Sequence, residues 1–457
     1  MSSSSRRIAL CALAAASLLA PSSASATSTP KQIKAAKAAG VKYLESLQQP
    51  DGSFETDWVL GALAAAGTAP ATVKPGPSAP DARSWYRALI GNPATWPGGT
   101  EAVTEFERAS LNTYAAGIDP ARVSATQNLI ARIVARYQPS APGYYGSPTN
   151  FGGAVFGLLA LAETRTRSGA FRVPASLLEK SMTVVRANQH TDGGWGFERA
   201  EGNAKKLAEP SEPDETGAAI AGLCAAGASS SDPAIANARA YLEADLVAST
   251  GAFKAPFGDN TDSNAWAVQG LDVCGIDPQG TGFTSAQAKT PIDFLLSNQL
   301  AGGAFTYEHG EAEGNEYSSQ DGLRSISGAG FTTAPAGAKG APKWVFQSAF
   351  TAGVGSPLAL ILNTGAGPLQ VCSVTVTPSG STTTLGALLE AAQASSTPSG
   401  CVTSVQPTSG KGAITQIDGA PSPAEARWKI SVDGGKAKAA KRSTKITVGD
   451  TVSLTLS

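Results

Sequence analysis

The residues of this 457-residue chain that could do chemistry are carboxylates, aromatics and two histidines. Asp214-Glu215 is a paired carboxylate followed by Thr216. EHGEAEGNEYSSQD (308–321) places Glu308, Glu311, Glu313, Glu316 and Asp321 in one glycine-rich stretch. Such a stretch could hold calcium, but the spacing is not that of an EF-hand, and a solvated acidic loop is the expectation. NQHTDGGWGF (188–197) sets His190 beside two amides, a glycine turn and two aromatics. A lone His is most often solvated, the alternative being a ligand to a metal centre. No G-x-S-x-G, H-E-x-x-H or Walker loop occurs, so neither a catalytic residue nor a metal site is expected. Lys436, Lys438, Lys441, Arg442 and Lys445 read as a solvated hairpin tip that could also touch an anionic cell wall.

The first 26 residues have the form of a secretory signal. Arg6 and Arg7 precede an apolar run from Ile8 to Leu19, and Ala24-Ser25-Ala26 is an A-x-A cleavage site. The run is short for a bilayer, and no second apolar stretch of that length occurs, so a secreted protein without a membrane span is expected. Removing Arg6 and Arg7 from a chain of net charge −1 leaves it about −3, which gives no argument for a nucleic-acid partner. Cys11 leaves with the signal. Cys224, Cys274, Cys372 and Cys401 remain, an even number for an oxidising compartment. Pairing Cys224 with Cys274 and Cys372 with Cys401 is the simplest of three connectivities, free buried thiols being the alternative.

The elements that would position these residues repeat. LQQPDGSF (47–54), NQHTDGGWGF and NQLAGGAF (298–305) each end a helical segment on Gln, turn on Gly and resume on an aromatic. A second, more apolar helix follows each turn. These helices end at Gly67, Gly117, Gly227, Gly275 and Gly330, as expected for helix C-caps in a left-handed backbone. The spacings are 50, 110, 48 and 55; NFGGAVFGLLALAE (150–163) fills the long gap. Six helical hairpins of about 50 residues follow, with polar-faced helices outside and apolar ones inside, able to close into a ring. In such a ring Gln189 caps an outer helix, Gly193 and Gly194 make the turn, and Trp195 plugs the gap to the next unit.

These Q-x-x-D-G-x-F and N-Q-x-x-D-G-G-W units resemble the repeats of squalene and terpene cyclases and of protein prenyltransferase β-subunits, over roughly residues 31–335. The resemblance implies a mainly α fold, an α6/α6 toroid over 27–335. It does not settle function, because the acid and zinc motifs of those enzymes are missing. There is no D-x-D-D; Asp259-Asn260-Thr261-Asp262 has the wrong spacing. Asp262-Ser263-Asn264 falls where the zinc ligands would start an inner helix, and Asn is a poor ligand. Asp272-Val273-Cys274 with His309 has the right letters at the wrong end of that helix.

After Phe331 comes the Pro/Gly/Ala run TTAPAGAKGAPK (332–343), and 336–368 reads as a linker containing a short apolar segment. Residues 369–457 read as a small β-rich domain: a strand in 371–380, a helix over 383–393, a hairpin over 400–419 and further strands over 426–457. The ordered motifs Thr384-Leu385-Gly386-Ala387-Leu388, Ile414 to Gly419, Trp428 to Gly434 and Gly449-Asp450-Thr451-Val452 resemble the C-terminal domain of the transcobalamin and intrinsic-factor family, with Gly386 where that family has a second Leu.

The mouth of the ring is lined by inner-helix N-termini, which suit polar or anionic groups, and by aromatics. The residues projected there are Trp58, Asn150, Phe151, Asp214, Thr216, Asp262, Asn264, Trp266, Tyr317 and Gln320, with Trp428 supplied by the small domain folding over. The resemblance implies a secreted binding protein clamping a small polycyclic ligand, a cobalamin-like corrinoid, between the two units, with Asp262, Asn264 and Gln320 as transferable contacts. The alternatives are an isoprenoid enzyme and a cell-envelope interaction module.

Overall fold

The computed structural model describes residues 27–92, most of 103–331, and, in the C-terminal part, 357–363, 370–375, 382–394 and most of 402–456. The chain is mainly α. Helices come in pairs: α1 (Pro30–Ser46) with α2 (Trp58–Ala65), α3 (Ala82–Gly91) with α4 (Val103–Ala115), and α5 (Leu129–Val134) with α6 (Phe151–Thr166). Next come α7 (Ala175–Ala187) with α8 (Pro213–Ala225), α9 (Pro233–Ala244) with α10 (Thr261–Val273), and α11 (Pro291–Ser297) with α12 (Glu316–Ile326). Helices α2, α4, α6, α8, α10 and α12 pack each on the next, and α12 packs on α2. The first helix of each pair lies against this cycle, α1 touching both α2 and α12.

Amphipathicity explains the sorting. In α2 every residue from Val59 to Ala65 is buried, whereas α1 buries only Gly40 and Leu44. A helix apolar on all sides has to be enclosed, and one with a single apolar stripe can cover it. Glycines in a left-handed backbone end the enclosed helices. Gly67, Gly117, Gly227 and Gly275 have φ of 91°, 70°, 107° and 68°. Thr68, Ile118, Ala228 and Ile276 donate back to Leu63, Thr113, Leu223 and Leu271, closing the Schellman bond that satisfies a free helix carbonyl. In the sixth pair this position falls on Gly328, two residues before the expected Gly330, because α12 stops at Ile326.

The recurring Gln stitches one pair to the next. Gln48, Gln189 and Gln299 donate to the carbonyls of Gly52, Gly193 and Gly303 across their own turns. Gln189 also donates to Ala234 in α9, and Gln299 to Ala36 in α1, joining the last pair to the first. Trp195 is fully buried and donates its indole N–H to Val185 O at 2.7 Å. The stretch from Gln189 to Trp195 is therefore scaffold. His190 differs from its expectation: it is buried, with Nδ1 2.9 Å from Glu209 O, rather than solvated.

Cys224 and Cys274 form a disulfide between the ends of α8 and α10. Cys274 therefore cannot serve as a zinc thiolate beside Asp272 and His309. Cys372 lies in a strand, and Cys401 and the signal segment 1–26 fall outside the described residues. Among the described residues no helix is long and apolar enough to cross a membrane.

The C-terminal part has a hydrophobic core of its own. Strands β1 (Pro357–Asn363), β2 (Gln370–Thr375), β7 (Trp428–Val432), β8 (Lys438–Ala439) and β10 (Thr451–Leu456) form one sheet in the order β2-β1-β10-β7-β8. β3 (Thr382–Thr384) pairs with β9 (Lys445–Thr447), and β4 (Val405–Gln406), β5 (Gln416–Ile417) and β6 (Ala420–Pro421) make a small third sheet. Helix α13 (Leu385–Ala394) begins at Thr384, whose hydroxyl accepts from Ala387 N. Residues 357–363 are thus not linker. Their apolar run suits a strand flanked on both sides, and β1 runs parallel to β10 and antiparallel to β2. β1 and β2 lie beside α5.

Candidate ligand-binding cavity

The N-terminal ends of the enclosed helices are held by short-range caps. Asn260 Oδ1 accepts from Ser263 N, and Asn315 Oδ1 from Ser318 N, both at 2.8 Å. Pro213 opens the first turn of α8, where its missing N–H costs nothing. These starts border an open cavity of about 890 Å³.

One part of its wall is aromatic. Trp58, Trp85, Trp266 and Tyr317 line it together with Phe54, Phe197, Phe257 and Phe331. Trp266 stands edge-on to Phe331 and Phe156, with centroids 5.2 and 5.6 Å away. Phe197, Phe257 and Tyr317 are the exposed large hydrophobics among the described residues, at 67%, 79% and 48% exposure, and all three belong to this cavity.

The other part is acidic. Glu55, Asp57, Glu212, Asp214, Glu215, Asp262 and Asp321 face two guanidinium groups, Arg108 and Arg324. Arg108 is bound to Asp57 at 2.9 Å and to Glu105. Arg324 is buried, lies 4.9 Å over the Trp58 ring and donates to Trp58 O at 2.9 Å. Burial lowers its pKa to about 10 against the pull of Asp321 and Asp57. Asp321 accepts from Trp266 Nε1 at 3.0 Å. Burial and the Asp262 charge raise its pKa to about 7, with Arg324 and the indole opposing. Burial, Asp214 and Glu212 raise Glu215 to about 8. Asp262 is raised too, by burial and then by Asp214 and Glu311, while a hydrogen bond from Ser318 opposes them. Near neutral pH the cavity therefore holds carboxyls that are partly protonated.

Six of the projected residues line this cavity: Trp58, Asp214, Asp262, Trp266, Tyr317 and Gln320. Five do not. Asn150 accepts from Gly153 N at the start of α6, and Phe151 is buried. Thr216 accepts from Trp195 N at 3.0 Å. Asn264 bonds the backbone of Phe253 on both its N–H and its carbonyl, a scaffold role in place of the expected ligand contact. Trp428 is 1% exposed within the C-terminal core, so it does not reach over the mouth. Among the described residues the cavity's walls come wholly from 54–331.

Glu215, Asp321, Arg324, Arg108, Trp85 and Phe331 were not projected here. A signal existed for Arg324: a cation three residues after Asp321 in a helix otherwise short of charge demands a partner. The remaining candidates are dispersed. Glu308, Glu311 and Glu313 are exposed, while Glu316 is buried and takes Thr56 N, and no group of metal ligands forms among the described residues. Lys436, Lys438, Lys441 and Lys445 are exposed, but Arg442 is buried and paired with Glu390, so it does not belong to a solvated tip.

No family model matches the chain, and no curated protein does. Among solved structures it is similar to the apo type II terpene cyclase MstE from Scytonema, at 15% identity and a TM-score of 0.44 over 66% of this chain and 99% of that one. It is also similar to haptocorrin in complex with Cbi, at 13% identity and a TM-score of 0.36 over 94% and 97%. A polysaccharide lyase matches at 12% identity and a TM-score of 0.40 over 64% and 96%.

Proposed function

We propose that the chain is a small-molecule binding protein built as an α6/α6 toroid, with a ligand seated where the enclosed helices begin. The observation that carries this is the gathering of Phe197, Phe257 and Tyr317 at one mouth. Exposed aromatics are costly in water, and their clustering on a concave surface marks a place where something apolar binds. The volume suits a polycyclic molecule, and a corrinoid is the candidate that the sequence resemblance supplies. The ring supplies the contacts in this proposal, without the clamp by Trp428.

The test is a titration of the secreted chain, disulfide intact, with cobalamin and cobinamide, followed by mass spectrometry of whatever co-purifies from the native host. Saturable one-to-one binding weakened by Trp266→Ala supports the site. Binding of a corrinoid that Trp266→Ala and Asp262→Ala leave untouched would move the site elsewhere.

A second reading has its own support. Asp321 is a carboxyl that stays partly protonated near neutral pH, bonded to an indole inside an aromatic wall. Such a group could protonate an alkene of an isoprenoid, and the aromatics could stabilise the cation formed. Incubation with a polyprenyl substrate decides this: a cyclic product lost in Asp321→Asn supports an enzyme, and unchanged substrate rejects one.

A further inference from the structure

Resting on the binding reading above, we propose that the ligand of this cavity is an organic cation: an apolar, ring-bearing body carrying a protonated amine or a quaternary ammonium group.

The first ground is a set of acceptors without donors. Glu215, Asp262 and Gln320 line the cavity, and Glu215 Oε2, Asp262 Oδ1 and Gln320 Oε1 are buried and accept no hydrogen bond from the protein. Glu215 is 9% exposed and Gln320 3%, so solvent cannot serve them as it serves a surface group. Buried acceptors left unpaired cost about 1–3 kcal/mol each, and a ligand bearing N–H donors, or a cation in close contact, recovers that cost.

The second ground is charge. The two guanidinium groups are already engaged, Arg108 by Asp57 and Glu105 and Arg324 by Trp58 O, the Trp58 ring and Asp321. Glu212, Asp214 and Asp262 then line the cavity without an ion pair to either guanidinium, while the Glu215 carboxyl, raised to about 8, is largely protonated near neutral pH until a cation approaches it. A neutral ligand with hydroxyl donors satisfies the acceptors and leaves this charge uncompensated. An anion adds to it.

The third ground is the aromatic wall. Arg324 occupies a face of Trp58, which shows a cation seated on an aromatic of this same cavity. Trp85, Tyr317 and the exposed Phe197 and Phe257 supply further rings for a second one. Burial first, and then Asp214 and Glu212, raise the Glu215 carboxyl, and a cation seated beside it would lower it.

The experiment compares three probes that share one apolar body: 1-pyrenemethylamine, 1-pyrenemethanol and 1-pyrenecarboxylate, titrated against the full secreted chain and read by pyrene fluorescence. A desolvated cation–aromatic contact implies that the amine binds on the order of 10-fold more tightly than the alcohol. The carboxylate should bind weakest. The amine's advantage should shrink in Asp262→Asn and in Glu215→Gln, both close in shape to the native side chains, with circular dichroism checking that each variant folds. Alcohol and amine binding equally would overturn the cation inference and leave the cavity reading standing. So would cobinamide binding where no pyrene probe does. Failure of all the probes and of both corrinoids would overturn the two together.

Discussion

Trp266 and Asp321 meet across facing helices, the indole Nε1 of α10 donating to a carboxylate oxygen of α12 at 3.0 Å. This bond ties the aromatic wall of the cavity to its acidic one. It also makes the Asp321 carboxyl a readable probe, because an adjacent indole senses its charge. The part of the tryptophan emission lost in Trp266→Phe should titrate with a midpoint near 7, where burial and Asp262 place the carboxyl. Asp262→Asn removes a like charge and should move that midpoint down. Arg324→Met removes the opposing cation and should move it up. The two opposite displacements distinguish an electrostatic origin from a general loosening, which would move both the same way.

Glu107 on α4 is wholly buried, and neither carboxylate oxygen has a hydrogen-bond partner. Burial raises its pKa well above the usual carboxylate range. The folded protein therefore keeps a proton that the unfolded chain gives up near pH 4.5, so this group's contribution is full below that pH. It declines as pH rises towards the folded pKa, at about 1.4 kcal/mol per pH unit. Glu107→Gln should gain on the wild type in denaturant melts as pH is raised from 5 to 7. A constant difference between the two across that range would mean that the carboxyl is ionised in the fold.

Much of this architecture is legible in the residues, and the site less so. The six pairs follow from Gln-turn-aromatic signatures and from glycines that only a left-handed backbone requires, both local features. Helix phase is not local. On α12, Tyr317, Gln320, Asp321 and Arg324 share one face at helical spacing, and on α10 so do Asp262 and Trp266; all six line the cavity. Asn264 and Thr216 point away into the scaffold, and nothing in a helix enclosed on all sides marks which polar residue faces the hole. Trp85 arrives from α3, a helix of the outer layer, and Phe331 from beyond the last helix, so neither is reached by looking at inner-helix starts. Trp428 sits in a strand whose alternate residues Trp428 and Ile430 are buried, a core pattern that outweighs the appeal of an aromatic at a mouth.

The Cys224–Cys274 bond closes a loop of 50 residues between the ends of two neighbouring enclosed helices. Constraining that loop in the unfolded chain is worth about 4 kcal/mol in the entropic model, and 2–4 kcal/mol is typical. Cys224→Ser with Cys274→Ser should lower the unfolding free energy within that range while the ring still forms, because α8 and α10 also pack along their length. Urea melts of the oxidised and reduced protein are the check. The reduced wild type should match the double variant, and equal midpoints for oxidised and reduced protein would remove the stabilising role.

That packing predicts a sensitive glycine on the enclosed helix α8. Gly217 of α8 lies against the Trp266 carbonyl and the Ala267 backbone, and Gly270 of α10 against the Gly217 carbonyl, so the two helices touch backbone to backbone. A methyl group at either position would overlap main-chain atoms, which cannot turn aside as a side chain can. Gly217→Ala should raise intrinsic helix propensity by about 1 kcal/mol and still destabilise the fold, because separating α8 from α10 opens voids along a buried seam. The residue displaced first is Trp266, whose carbonyl is the contact, so the variant should also weaken the Trp266–Asp321 bond and shift the emission midpoint away from 7. Gly222→Ala, on the same helix, is the control: its added methyl meets Val155 O at 3.3 Å and the flexible end of Leu158, and should cost less. Equal melting temperatures for the two variants would show that α8 and α10 can part without penalty.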